Sequence, residues 1–272
     1  MMLVLDSHCN DVAVNWFALV NDYHNMHAEV YERISGHLVE PLYLSTSVES
    51  LLNRSPLLIA LYEQDPMTNI LPKEHTLYFS APLNVSFDVA LAQLRNRLHI
   101  QFSGNRRGLF HYYCPSVASY FFERSDTIDT GKWLGCFSSL YFYRQTYSDL
   151  AKWSKVVVVS EGGELASNLW LLTESQENAL NDKYHENEIV QWATENNIKE
   201  LNWQKQKMVH LFCSQHQITD PQISSRLRHL IQRYDVALND LNFHSKSHQT
   251  SENIVEHIEY LMSRENAYTE ST

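Results

Sequence analysis

The stretch SFDVALAQLRNRLHIQFSGNRRGLFHYYCPSVASY, residues 86–120, decides the fold. Phe87, Ala90, Leu91, Leu94 and Leu98 recur at helical spacing and mark one apolar face. Ser86 is placed to cap that helix, and Asp88 puts negative charge in its first turn. Arg95 and Arg97 fall near its end, where cations suit the helix dipole. His99 to Phe102 alternates polar and apolar, as a half-buried strand does. Gly104 to Gly108 reads as a tight turn, because glycine admits the positive φ that such turns require. Leu109 to Tyr113 reads as the return strand. Pro115 cannot donate to a ladder and ends it, and Ser116 to Glu123 starts a second helix.

Two chemical readings attach to this stretch. Cys114 with His111, or with a distant histidine, could form a nucleophile and its base. The plainer reading is a strand end packed into a core. Residues three apart on a strand point to opposite faces, so the pair is badly placed unless the chain turns. No glycine elbow surrounds the cysteine, and no carboxylate or amide is offered to orient the histidine. Arg106 and Arg107 are read as a solvated turn tip, with a phosphate site as the sharper alternative.

Towards the N-terminus, Leu3–Leu5 is predicted as an opening strand and Asp11–Tyr23 as a helix, with Val12, Trp16, Phe17, Val20 and Tyr23 on one face. Leu42–Leu44, Leu57–Tyr62 and Thr76–Ala81 read as strands. Ser47–Asn53 reads as a brief helix, with Thr46 and Glu49 at capping-box spacing. After the central stretch, Asp126–Gly135 reads as a loop. Leu140–Tyr143 and Val156–Val159 read as strands, the second buried. Alternating strands and helices suggest a mixed sheet with helices packed on it.

Gly162-Gly163 marks a boundary. All seven glycines lie at or before it and only Pro221 of the prolines lies after it, so both common helix breakers are nearly absent from the remainder. Ile189, Trp192 and Ala193 share a helical face. Ile223, Leu227, Leu230, Ile231, Tyr234, Leu238 and Leu241 form an apolar stripe behind Asp220-Pro221, a cap and first residue. Val255, Ile258, Leu261 and Met262 make a last short stripe. The expected fold class is α+β: a mixed α/β lobe over residues 1–160, then an all-helical lobe over 161–272.

The net charge of −11 argues against nucleic-acid backbone as partner. The N-terminus lacks the basic region of a signal peptide, and no apolar run reaches the length of a membrane span, so no membrane insertion is expected. Cys9, Cys114, Cys136 and Cys213 are scattered without a CxxC motif, which suits reduced thiols in a cytoplasm. His24 with His27, and His244 with His248, stand at metal-ligand spacings. Neither pair is accompanied by further ligands in sequence, so surface and linker readings are preferred and no metal or other cofactor is assigned.

Residues 42–142, roughly a third of the chain, resemble the type VI secretion effector-adaptor family, also called effector chaperones. The resemblance rests on Ser55-Pro56-Leu57-Leu58, on Leu94-Arg95, and on Gly108-Leu109-Phe110-His111-Tyr112-Tyr113-Cys114-Pro115-Ser116-Val117, followed by Leu134-Gly135. It implies structural motif roles for Pro56, Arg95, Phe110, Tyr112, Tyr113 and Pro115. His111 stands where the family usually has Arg, and Cys114 where it usually has Asp, so an ion pair between those positions is missing here. The resemblance further implies a non-catalytic cytoplasmic protein. Such a protein would bind a toxic effector, often near the effector's N-terminus, and help load it onto a spike protein of the VgrG type.

An adaptor needs anchor side chains, and Trp170, Trp192, Trp203, Phe212 and Tyr234 are the candidates, each with a core role as the plainer reading. Trp203 stands out because Asn202, Gln204, Lys205, Gln206 and Lys207 surround it with polarity. The charge is −3 through Ser160 and −8 beyond it, which suggests a basic or amphipathic partner segment.

Overall fold

The computed structural model describes residues 3–158, 169–233, 253 and 255–260. The chain divides into two compact units, Met1–Lys183 and Tyr184–Thr272.

The first unit is built on a seven-stranded sheet. Its strands are β1 (His8–Cys9), β2 (Val12–Val20), β3 (Val39–Pro41), β4 (Leu57–Leu61), β5 (Thr76–Pro82), β8 (Ser139–Tyr143) and β9 (Trp153–Val157). The order is β3-β4-β2-β5-β8-β9, with β1 paired to the start of β2. Three further strands, β6 (His99–Gln101), β7 (Arg107–Leu109) and β10 (Trp170–Leu171), form a small second sheet in the order β10-β6-β7.

The segment expected to be a helix, Asp11–Tyr23, is instead β2, a strand in the middle of the large sheet. Its side chains feed two cores. Val14, Trp16, Ala18 and Val20 pack with Leu57, Ile59, Leu61 and Tyr78 on one face. Phe17 and Leu19 pack with Leu58, Leu77, Phe79 and Phe142 on the other. A strand covered on both faces reads as a near-continuous apolar run, and Val12–Val20 is one, interrupted only by Asn15. The sheet is not mixed: every described pairing in it is antiparallel, and the parallel pairing is that of β10 with β6.

Five helices flank these sheets: α1 (Met26–Arg33), α2 (Met67–Ile70), α3 (Phe87–Arg95), α4 (Pro115–Arg124) and α5 (Thr127–Leu134). Met26 and Val30 of α1 close one core; Ala90, Leu91 and Leu94 of α3, Phe121 and Phe122 of α4, and Trp133 of α5 close the other. The Ser86 hydroxyl accepts from the Val89 N–H and caps α3 as read. Asp126–Gly135, expected to be a loop, forms α5. The Asp126 carboxylate accepts from the N–H groups of Ile128 and Asp129 at 2.8 and 3.4 Å, and that cap outweighs the interior Gly131.

Other boundaries move. Leu3–Leu5 is not a strand. The strand expected at Leu42–Leu44 lies earlier, at β3, and Leu42–Leu44 is turn. Thr46 does not form the capping box: its hydroxyl donates to the Tyr43 carbonyl oxygen. A 3-10 helix nevertheless follows at Glu49–Arg54. The return strand is β7, shorter and earlier than Leu109–Tyr113, because the turn tightens at Ser103–Asn105 and pairs Gln101 with Arg107. The strand expected to be buried at Val156–Val159 is β9, which ends the strand order and is partly exposed; Val159 and Gly162-Gly163 lie outside the described residues.

The second unit is helical. The division falls within α6 (Glu174–Glu195), and α7 (Trp203–Gln215) and α8 (Pro221–Arg233) follow. Val209, Phe212 and Cys213 of α7 pack with Leu227 and Ile231 of α8 and with Ile258, which lies in a helical segment at 255–260. Asn202 caps α7 by accepting from the Lys205 N–H, and Asp220 accepts from the N–H of Gln222 at the start of α8.

Candidate functional site

Three of the six motif residues, Pro56, Arg95 and Tyr113, hold one segment, residues 40–56, and the other three pack in the core beside it. Arg95, at the end of α3, donates through Nε to the Leu42 carbonyl oxygen at 3.1 Å and through Nη2 to the Pro41 carbonyl oxygen at 3.0 Å. Nη2 also reaches Glu40 Oε1 at 3.3 Å. The Pro56 carbonyl oxygen accepts from the Leu42 N–H at 2.8 Å. Buried Ser55 accepts from the Tyr43 N–H at 2.9 Å. The Tyr113 hydroxyl bonds the Tyr43 hydroxyl from the other side and pairs with His111 Nδ1 at 3.0 Å.

Behind this clamp lies the core. The Tyr112 hydroxyl donates to the Leu94 carbonyl oxygen at 2.8 Å. Phe110 packs edge-on against Phe121 at 4.7 Å, and Pro115 is the first residue of α4. Burial pushes the Tyr113 and Tyr112 hydroxyls well above the ordinary tyrosine range, so both stay protonated at neutral pH. Tyr43 was not among the residues singled out from sequence. Its signal is tertiary, since its partner Tyr113 lies on the far side of the central stretch.

On the solvent side of Arg95 is a cleft of about 480 Å³. Leu91 and Leu98 form its apolar floor, Glu40, Asp88 and Arg95 its charged rim, and Ser47 and His99, joined at 2.7 Å, one wall.

Cys114 and His111 do meet a turn, with the Cys114 N–H bonded to the His111 carbonyl oxygen at 3.0 Å. Their side chains are engaged elsewhere. Cys114 Sγ accepts from Asn21 Nδ2 at 3.3 Å, and burial pushes the thiol up to about 11. Burial also holds the His111 imidazole below its usual value. A thiol in that state is a poor nucleophile at neutral pH. Arg106 and Arg107 are exposed, as expected of a turn tip. His27 Nε2 pairs with the Ser55 carbonyl oxygen at 2.9 Å; His244 and His248 lie outside the described residues.

The candidate anchors differ in exposure. Trp170, in the first unit, is half-buried, and its indole N–H donates to Gln176 at 2.9 Å. Trp192 is buried in the helical unit and donates to Ser225 at 3.0 Å. Phe212 is buried. Trp203, the first residue of α7, is half-buried, and Tyr234 lies outside the described residues.

Residues 16–131 match the family described as a domain of unknown function (DUF4123). No curated protein and no solved structure matches the chain. Among the described residues, no helix is long and apolar enough to cross a membrane.

Proposed function

We propose that this chain is a non-catalytic adaptor. It binds a type VI secretion effector in the cytoplasm, through the effector's N-terminal region, and helps load it onto the spike protein. The observation that carries the reading is an overlap: the DUF4123 match at 16–131 contains Pro56, Arg95, Phe110, Tyr112, Tyr113 and Pro115, the residues on which the adaptor resemblance rests. Their polar groups are spent on the chain's own segment 40–56 and on α3, which fits scaffolding rather than catalysis.

An adaptor must bind firmly and let go. A standard interface buries about 1,600 Å² in total, with its energy concentrated in a few anchors. The acidic remainder beyond Ser160 favours encounter with a basic or amphipathic segment. Trp203 is the anchor to test first. Trp192 and Phe212 are already buried within the helical unit, so their replacement would damage the fold together with any surface.

The test is co-expression of the full chain with the toxin encoded beside it, followed by pull-down. The adaptor reading expects wild type and Cys114→Ser to retain the toxin equally. Trp203→Ala should lose it while melting near wild type. Retention by Trp203→Ala removes the anchor from that residue. A wild-type chain that retains no toxin under any condition rejects the adaptor, and activity lost only in Cys114→Ser would favour a thiol hydrolase instead.

A further inference from the structure

We propose that the helical unit carries a divalent transition-metal site of the zinc type, formed by His185 and Glu188 of α6 and His210 of α7. Among the described residues these three offer donor atoms that all lie within 4.8 Å of one another. His185 and Glu188 are one turn apart on α6, and His185 Nδ1 stands 3.5 Å from Glu188 Oε2. The His210 ring lies over the His185 ring, with centroids 3.6 Å apart and planes at 38°.

Zinc bonds histidine nitrogen and carboxylate oxygen at about 2.0–2.2 Å, so tetrahedral ligand atoms stand about 3.3 Å apart. The His185–Glu188 pair is already near that separation. His185 and Glu188 side chains are 33% and 41% exposed, leaving room for the rotamer adjustment that closes the widest gap and for a water at the fourth position.

The surroundings favour a cation over a bare histidine pair. Two imidazoles in ring contact can both turn a ring nitrogen to one ion and serve it as neutral ligands. Beside them, Lys207 and buried Glu186 form a 2.7 Å ion pair from α7 to α6, which fixes the register of the helices that supply the ligands. Two imidazoles and one carboxylate bind zinc more tightly than manganese or ferrous iron.

The proposal is independent of the adaptor reading. It is tested on the full chain, stripped with chelator and titrated with zinc ion by calorimetry, with cobalt substitution as the spectroscopic check. Wild type should take up a zinc equivalent that raises its melting temperature, because the ion binds the folded form. Binding should weaken in acid, because protons compete with the ion for histidine nitrogen and carboxylate oxygen. His185→Ala/His210→Ala should lose that equivalent. Glu188→Gln, which keeps the shape of the side chain, should weaken it at least about tenfold. The control His24→Ala/His27→Ala should bind as wild type does. No zinc uptake by wild type, or unchanged uptake by a folded His185→Ala/His210→Ala variant, overturns the proposal. Loss of the equivalent in the control variant does so as well.

Discussion

Arg97 Nε donates to the carbonyl oxygen of Trp133 at 2.9 Å. Through this bond the residue just past α3 caps the far end of α5. Nη2 reaches the Lys132 carbonyl oxygen at 3.2 Å, and Gln93 Nε2 reaches the Trp133 oxygen at 3.1 Å. The last carbonyls of a helix have no partner within it, so these two side chains satisfy groups that burial would otherwise orphan. Arg97 is 1% exposed, and its guanidinium stacks 4.4 Å from the Trp170 ring centroid. Its charge therefore rests on carbonyl dipoles and a π-face.

Replacing Arg97 separates these contributions. Arg97→Met keeps much of the stem volume and removes the cost of burying a charge, but strands the Lys132 carbonyl oxygen and leaves that of Trp133 to Gln93 alone. It should lose about 1–3 kcal/mol. Arg97→Ala adds a cavity beneath Trp170 and should lose about 2–5 kcal/mol. Urea unfolding of both variants measures the order. Equal losses would mean that the packed stem contributes nothing.

The buried tyrosines predict how the protein fails in alkali. Burial raises Tyr43, Tyr78, Tyr112 and Tyr113 above the ordinary value of 10.0. Above that value the unfolded chain ionises these phenols while the folded chain keeps them protonated. The folded state then binds more protons, and stability falls as pH rises. Their contribution is complete below pH 10 and is lost above it. Unfolding should track tyrosinate absorbance in a cooperative step, and Tyr43→Phe/Tyr113→Phe should make the decline with pH shallower. Independent titration of these phenols without unfolding would contradict the assignment.

Cys114 gives a kinetic prediction. Its thiol is pushed up from the ordinary 9.0 to about 11, mainly by burial. The thiolate fraction near neutral pH is then about a hundredfold below that of a free thiol. Alkylation at pH 7.5, followed by peptide mass mapping, should show Cys114 modified at least about tenfold more slowly than a cysteine peptide, since the greater nucleophilicity of a high-pKa thiolate offsets part of its scarcity. Fast, selective labelling would point to an activated nucleophile and against the adaptor.

Much of this was legible in sequence where local chemistry and tertiary demand agree. Ser86 and Asp220 cap the helices they precede, and Leu57–Leu61 and Thr76–Pro82 are strands. The misreadings share a cause. Val12, Trp16 and Val20 recur every four residues, a spacing that satisfies a helical face and one face of a strand equally, and only the second core on the other side of β2 decides between them. Asp126–Gly135 looked like a loop because its helix is completed from outside, by Gln93 and Arg97. At the candidate sites, His185 and Glu188 carry a readable spacing, but His210 joins them only through the packing of α7 on α6. Tyr43 meets Tyr113 in the same way, across seventy residues of chain.

Gly135 is where local conformation and this borrowed cap meet. Its φ of 60° and ψ of −104° belong to glycine, and a Cβ there would stand 2.4 Å from Gln93 Nε2 and 2.8 Å from its Cδ. Gln93 is buried and cannot swing away without releasing the Trp133 carbonyl oxygen. Gly135→Ala therefore combines backbone strain of about 1–3 kcal/mol with a lost cap of about 1 kcal/mol. Gln93→Ala removes the obstruction but not the strain. In a double-mutant cycle the two changes should couple by about 1 kcal/mol, the pair costing less than the sum of the singles. Gly108→Ala serves as the control: a Cβ there meets nothing within 4 Å, and its effect should stay within about 0.5 kcal/mol. Strict additivity at Gly135 and Gln93 would place the cost in the backbone alone and remove Gln93 from the account of how α5 ends.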